Sequence, residues 1–209
     1  MTVSTLWELP RNATACYVLA HGAGAGMTHP FMESVAKALA ARNIATLRFQ
    51  FPYMDRGSKR TDPPKVCHAT IREVVDLARQ RTDLPLIAGG RSFGGRMASQ
   101  AQAEDPLPSV VGLAFLGFPL HPPKAPADER GAHLEDTKIP LLFLQGTRDE
   151  LADLTLLKPL VKRLGKRATL KLYEDGDHSF HVRVRSGRTD AQVFEEMMDD
   201  LAAWVDNIS

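Results

Sequence analysis

The sequence predicts an α/β protein with a predominantly parallel sheet flanked by helices. Short apolar runs with the length of buried strands alternate with longer stretches of helical periodicity. Glycine-rich turns follow several of these runs, as expected where a strand gives way to a helix. The chain has 209 residues, 44% of them hydrophobic, which is enough for one sizeable core. We therefore expect a single domain over residues 1–209.

The individual elements follow from the same periodicity. The predicted strands are residues 15–20, 44–49, 86–88, 110–115, 140–145 and 169–173. Between and after them, predicted helices cover the neighbourhoods of residues 30–39, 71–77, 96–104, 151–164 and 189–205. Residues 89–95 are predicted to be a glycine-rich turn.

Charge and hydropathy exclude several classes of protein. Lys and Arg total 26 against 25 acidic residues, and a formal net charge of +1 predicts no attraction to nucleic acid or to an anionic membrane. No apolar stretch reaches the roughly 18 residues of a membrane helix. Glu8 lies where a signal peptide is apolar, which favours a cytoplasmic location. Cys16 and Cys67, in a predicted strand and a predicted helix, indicate packed thiols.

Chemistry is indicated most strongly by Gly90-Arg91-Ser92-Phe93-Gly94, which has the pattern Gly-x-Ser-x-Gly between a predicted strand and a predicted helix. A nucleophile on such a sharp turn has a strained backbone, and we expect side chains at positions 90 and 94 to crowd it. Ser92 Oγ should then project above the carboxyl edge of the sheet. The backbone N–H of Phe93 should face the oxyanion of a reacting carbonyl.

A serine hydroxyl is a weak nucleophile, so this interpretation requires a histidine base and a carboxylate that orients it. Asp149 and His178 each follow a predicted strand. Where a nucleophilic serine lies on a turn of this kind, the acid and then the base follow it along the chain, and Ser92, Asp149 and His178 have that order. The carboxyl ends of parallel strands meet at one edge of the sheet. The alternatives that remain open are Asp153, Asp175 and Asp177 for the acid and His181 for the base.

A second oxyanion donor is expected in the glycine-rich turn that follows the first predicted strand, at residues 21–26. The backbone N–H of Ala23 is the preferred candidate, with Gly24 as the alternative. His21 is expected to hold this turn through a hydrogen bond and to take no part in proton transfer.

The proline-rich and charged segment 119–138 is too short to form a substantial helical cap, so we expect a minimal fold with no large lid and an open site. Arg91 could form a basic rim with the cations on or after the second predicted strand, Arg48, Arg56, Lys59 and Arg60. Asp55 and Asp62 favour local ion pairs there instead.

His21-Gly22, the Ser92 turn, Asp149 and His178 together resemble the α/β-hydrolase superfamily over almost the whole chain. Residues 89–99 and 118–123 are similar to a narrower group of short proteins related to dienelactone hydrolases. That group includes a eukaryotic subunit associated with a histone acetyltransferase complex. Dienelactone hydrolase has a cysteine nucleophile where this chain has serine, so its substrate does not carry over. The resemblance implies an α/β-hydrolase fold.

These observations predict a serine hydrolase that cleaves an ester or thioester through an acyl-enzyme, with a small-molecule acyl substrate and with neither cofactor nor metal. A non-catalytic binding or scaffold protein with a hydrolase fold is an open alternative. An acyltransferase or a peptidase using the same residues is another. The sequence indicates no oligomeric state. The predicted site consists of Ser92, Asp149 and His178, with oxyanion donors at Ala23 and Phe93.

Overall fold

A computed structural model describes residues 3–208. The strands are β1 (Thr5–Glu8), β2 (Ala15–Ala20), β3 (Ile44–Phe49), β4 (Leu86–Arg91), β5 (Val110–Leu116), β6 (Leu141–Gly146) and β7 (Ala168–Tyr173). The α-helices are α1 (Pro30–Ala40), α2 (Pro52–Asp55), α3 (Pro64–Arg81), α4 (Phe93–Glu104), α5 (Leu154–Leu164) and α6 (Asp190–Ile208). Short 3-10 helices cover Glu129–Asp136, Gly165–Arg167 and Val184–Ser186.

The strands form one seven-stranded sheet in the order β1-β3-β2-β4-β5-β6-β7. Neighbouring strands from β3 to β7 pair in parallel, whereas β1 pairs with β3 antiparallel at the edge. The predicted fold class is therefore confirmed. Because β4 lies at the centre with three strands on either side, the segment that follows it opens over the middle of the sheet.

Alternation along the strands divides the core between the two faces of the sheet. On β2, Val18 faces a cluster formed with α3, α4 and α5, whereas Tyr17 and Leu19 face a cluster formed with α1 and α6. All residues of β2 are buried. Burial on both faces explains why this strand has a continuous apolar sequence without the polar alternation of a half-exposed strand.

The observed boundaries agree with the predicted ones for β2 and β3 and differ around the glycine-rich turn. The strand predicted at residues 86–88 continues to Arg91, and α4 begins at Phe93, three residues before the predicted start. Gly89 and Gly90 belong to the strand with φ of 140° and 143°, a conformation open mainly to glycine. The glycines therefore permit an unusual strand there, whereas their sequence suggested a turn.

Elements outside the predicted set lie at the edge and in the loops. The strand β1 and the helix α2 were missed, as was the 3-10 helix Glu129–Asp136.

Cys16 and Cys67 are buried free thiols, as predicted. Within residues 3–208, no helix is both long and apolar enough to cross a membrane.

Close approach between strands and helix explains the glycines around position 92. A Cβ at Gly90 would lie 2.1 Å from the carbonyl oxygen of Ala20, and one at Gly94 would lie 2.5 Å from that of His21. Both contacts are with the backbone of the neighbouring chain segment. We predicted that side chains at positions 90 and 94 would crowd the serine. The structure shows that they would instead collide with β2 and the turn after it.

Replacing Gly90 with Ala is expected to lower the free energy of unfolding by about 2 kcal/mol or more, because it adds both a steric overlap and backbone strain. Gly24→Ala is the matched control, since a Cβ there meets no atom within 4 Å. Chemical denaturation of the two variants measures the difference. Equal stability of Gly90→Ala and Gly24→Ala would contradict this account of the close approach.

Candidate active site

Ser92 is the single residue between the end of β4 and the start of α4. Its φ and ψ are 47° and −114°, values that an L-residue adopts only under constraint. The surrounding structure supplies that constraint. The N–H of Ser92 donates to the carbonyl of Leu116 at 3.2 Å, and its carbonyl accepts from the N–H of Arg96 at 3.2 Å. The hydroxyl is thereby held at the carboxyl edge of the sheet.

His178 lies between Ser92 and Asp149, although the three residues come from separate loops. Its Nε2 is 2.8 Å from Ser92 Oγ, and its Nδ1 is 2.7 Å from Asp149 Oδ2. The Asp149 side chain is fully buried, whereas the His178 ring is partly exposed. Because the Asp149 carboxylate can only accept a hydrogen bond, we assign the proton to His178 Nδ1. Nε2 is then free to accept from the serine hydroxyl.

The alternative acids are all engaged elsewhere. Asp153 caps α5 by accepting from the N–H of Thr155 at 2.8 Å. Asp175 is paired with Arg183. Finally, Asp177 holds the histidine loop by accepting from two of that loop's N–H groups, those of Ser179 at 2.7 Å and His181 at 3.0 Å.

The alternative base, His181, lies near the N-terminus of α6, where its Nδ1 is 2.7 Å from Asp190 Oδ2. That ion pair is exposed, and its hydrogen bond raises the pKa of His181. Among the histidines weighed in the sequence analysis, His178 is the one that the structure brings to Ser92.

Two donors that the sequence analysis missed hold Asp149 in place. Gln145, buried within β6, donates from Nε2 to Asp149 Oδ2 and accepts from the N–H of Phe118 at 2.9 Å. The N–H of Leu151 donates to the other carboxylate oxygen at 2.8 Å. A polar residue inside the apolar strand Leu141–Gly146 was the available signal, because a buried amide requires partners.

The turn after β2 is organised by His21, which makes the hydrogen bond that we predicted for it. The ring accepts from the N–H of Phe51 at Nε2, 3.1 Å away, so its Nδ1 carries the proton and donates to the carbonyl of Gly22 at 2.8 Å. Burial lowers the pKa of His21, which favours this neutral form. In a trans peptide the C=O and N–H point in opposite directions. Holding the Gly22 carbonyl therefore also orients the N–H of Ala23.

The N–H groups of Ala23 and Phe93 have no backbone or side-chain acceptor within residues 3–208. Phe93 is the first residue of α4, where an N–H has no partner inside the helix. Ala23 lines the same cleft as Ser92. Both groups are thus available to an acceptor at the sheet edge.

The cleft above Ser92 has a volume of about 540 Å³. Its apolar lining includes Phe31, Met32 and Leu151, and the turn after β2 also lines it. The remaining lining residues are Gly22, Ala23, Gly24, Ala25, His29, Arg91, Ser92, His178 and Ser179.

Within the described part of the chain, no group of three or more His, Cys, Asp or Glu side chains is arranged to hold a metal ion.

Segment 119–138 lies against α4 and α5 and contributes no residue to the lining of this cleft. Ser99 Oγ on α4 is 2.8 Å from His133 Nε2. On α5, Arg163 pairs with Asp128 at 3.2 Å. The expectation of a minimal fold without a large lid is confirmed.

The chain matches a known family over most of its length. The match covers residues 13–206, and the family is described as an alpha/beta hydrolase domain. The chain belongs to this family. The α/β-hydrolase fold that the resemblance implied is therefore confirmed, and the seven-stranded sheet agrees with it.

Solved structures of this hydrolase fold are similar over nearly the full chain. An alpha-beta serine hydrolase homologue from Coxiella burnetii has a TM-score of 0.75 at 19% identity and covers 95% of this chain and 91% of its own. A dienelactone hydrolase from Anabaena variabilis has a TM-score of 0.73 at 21% identity, with 99% and 90% covered. A serine hydrolase without a lid from Xanthomonas campestris has a TM-score of 0.73 at 20% identity, with 97% and 89% covered.

At these identities the similarity shows a shared fold. The predicted relation to a subunit of a histone acetyltransferase complex is untested and stays a prediction.

Replacing Gln145 with Leu is expected to lower the free energy of unfolding by about 1–3 kcal/mol although the side chains are similar in size, because the buried N–H of Phe118 loses its acceptor. Leu142→Met on the same strand is the control and should cost less than about 1.5 kcal/mol. Urea denaturation separates the two. A Gln145→Leu variant as stable as the wild type would show that this bridge contributes nothing to the fold.

Proposed function

We propose that this protein is a serine hydrolase that cleaves an ester or thioester, with Ser92 as nucleophile, His178 as general base and acid, and Asp149 as the carboxylate that orients the histidine. The observation that carries the proposal is the continuous chain of hydrogen bonds from Ser92 Oγ through His178 to Asp149, with links of 2.8 Å and 2.7 Å. Only a serine whose proton has an acceptor within reach becomes a competent nucleophile near neutral pH.

In the acylation step, Ser92 Oγ forms a bond to the substrate carbonyl carbon while its proton passes to His178 Nε2. The carbonyl oxygen becomes an oxyanion, which accepts hydrogen bonds from the N–H groups of Phe93 and Ala23. The C–O or C–S bond then breaks, and His178 returns the proton to the departing alcohol or thiol. Ser92 is left acylated.

In the deacylation step, His178 takes a proton from water as the water oxygen attacks the acyl carbon. Collapse of the second tetrahedral intermediate breaks the bond to Ser92 Oγ, and the proton returns to the serine from His178. The two oxygens of Asp149 accept from the histidine, from Gln145 and from a backbone N–H, so the carboxylate keeps the imidazole in its orientation through both steps.

The dimensions of the cleft favour a small acyl substrate. Its volume of about 540 Å³ lies within the range typical of small-molecule sites. The side chains of Phe31, Met32 and Leu151 offer apolar contact to an acyl chain. Since segment 119–138 does not cover the cleft, one end of a longer substrate can extend into solvent.

Ser92→Ala is expected to reduce kcat by at least roughly 10⁴-fold on an activated ester, because the nucleophile is removed while the oxyanion donors and the fold remain. Ser58→Ala is the control, since the hydroxyl of Ser58 contacts only the backbone of Arg60 in a loop outside the cleft. The assay measures release of para-nitrophenol from short-chain esters and of free thiol from acyl thioesters. A Ser92→Ala enzyme with wild-type turnover would eliminate the proposed nucleophile.

A further inference from the structure

Arg91, the residue before Ser92, is one of the residues that line the cleft. Among the described residues that form the cleft wall, it carries the only permanent charge, and none is Asp or Glu. The other titratable groups on the wall are the imidazoles of His29 and His178. The lining of the cleft therefore has one permanent positive charge and no carboxylate.

The guanidinium of Arg91 lies beside two aromatic rings. The rings of Phe31 and Phe180 are parallel, with centroids 6.5 Å apart, and the Arg91 Cζ lies 5.3 Å and 5.6 Å from them. Aromatic faces stabilise a cation and restrict the side chain without consuming its N–H groups. Arg91 is thus pre-organised at the cleft wall.

Most of the hydrogen-bonding capacity of Arg91 is unused. Nη1 donates to the carbonyl of Leu116 at 3.1 Å, and Nη2 is 3.4 Å from Ser179 Oγ. Neither partner within residues 3–208 is a carboxylate, although a guanidinium has five N–H donors. Burial lowers the pKa of Arg91 to about 10, so the group stays protonated at neutral pH. The charges of Asp149 and Asp177 act on Arg91, but neither carboxylate hydrogen-bonds to it, and Asp149 is already bound to His178 and Gln145. A buried cation with unused donors therefore favours a further anionic partner.

We infer that the substrate of this hydrolase carries a carboxylate, and that Arg91 binds this group while Ser92 attacks the ester or thioester at the other end of the molecule. The inference rests on the proposed function and specifies its substrate class. A planar, two-oxygen anion matches the fork of N–H donors that a guanidinium presents. The positive wall also raises the local concentration of anionic substrates at the cleft.

The competing explanation is that Arg91 only braces the histidine loop through Ser179. The two explanations differ in what they predict for substrate charge. A bracing residue affects turnover of every ester equally because it acts on His178. A residue that binds carboxylate affects the ratio between an anionic ester and a neutral one of the same shape.

The test compares two esters in the full-length enzyme. One is the mono-para-nitrophenyl ester of adipic acid, and the other is its methyl ketone analogue, in which a methyl group replaces the ionised oxygen. Each kcat/KM is divided by the rate of spontaneous hydrolysis of that ester. The wild type is expected to favour the anionic ester by roughly 10- to 100-fold, the range for a charge-assisted hydrogen bond.

In Arg91→Gln the normalised ratio is expected to fall close to one, and Arg91→Lys should retain part of the preference because it keeps the charge but loses the fork. Arg185→Gln is the control, since Arg185 is an exposed arginine that does not line the cleft and its loss should leave the ratio at the wild-type value.

A wild-type enzyme that hydrolyses both esters with a ratio near one overturns the inference and leaves the hydrolase proposal standing. Persistence of the preference in Arg91→Gln also overturns it. Absence of turnover of either ester in the folded wild type counts against the proposed function itself. The wild-type ratio alone is informative if Arg91→Gln fails to fold.

Discussion

The conformation of a single residue, Ser92, is the constraint around which the site is arranged. A φ of 47° at a serine costs free energy, and it persists only because the elements on both sides hold it. Gly90 and Gly94 allow β4 and α4 to approach β2 and its following turn at distances that any side chain would prevent. The close packing of glycine backbone thus places the hydroxyl above the sheet edge. Ser92 directly follows the central strand β4, and hydrogen bonds to β5 and α4 hold its strained conformation.

The parallel sheet brings together groups that are far apart in sequence. Ser92 follows β4, Asp149 follows β6 and His178 follows β7, so all three emerge at the same carboxyl edge. Further hydrogen bonds fix the positions of the acid and the base. Gln145 and the N–H of Leu151 hold the carboxylate, and Asp177 holds the histidine loop. These contacts fix the geometry on which the proposed chemistry depends.

Most of the architecture was predictable because burial on two faces leaves a clear apolar pattern in the strands. The strands β2 and β3 have the predicted boundaries, and the pattern around Ser92 identified the turn. The edge strand β1 was missed because it is short and only half-buried, so its sequence alternates weakly. The three-residue extension of β4 was missed because glycine in a strand and glycine in a turn look alike in sequence.

At the site, the sequence indicated which residue types belong together and could not indicate their contacts. It preferred Asp149 for the acid but left three alternatives open, and the contact between Asp149 and His178 decides among them. It also could not show that the Arg91 guanidinium lies beside two aromatic rings, since Phe31 and Phe180 are remote from it in the chain. The predicted basic rim is weakened, because Arg56 pairs with Asp62 and the pair neutralises charge in the loop after β3.

The central claim is that the Ser92 hydroxyl is activated by His178, and covalent labelling with a fluorophosphonate tests it most directly. Peptide mass spectrometry of the labelled wild type, Ser92→Ala and His178→Ala proteins identifies the modified residue. The account predicts modification at Ser92 in the wild type, none in Ser92→Ala and a steep decrease in rate in His178→Ala. Folded wild-type protein that takes up no label, or takes it up at another residue, would contradict the account and favour a binding or scaffold role for this fold.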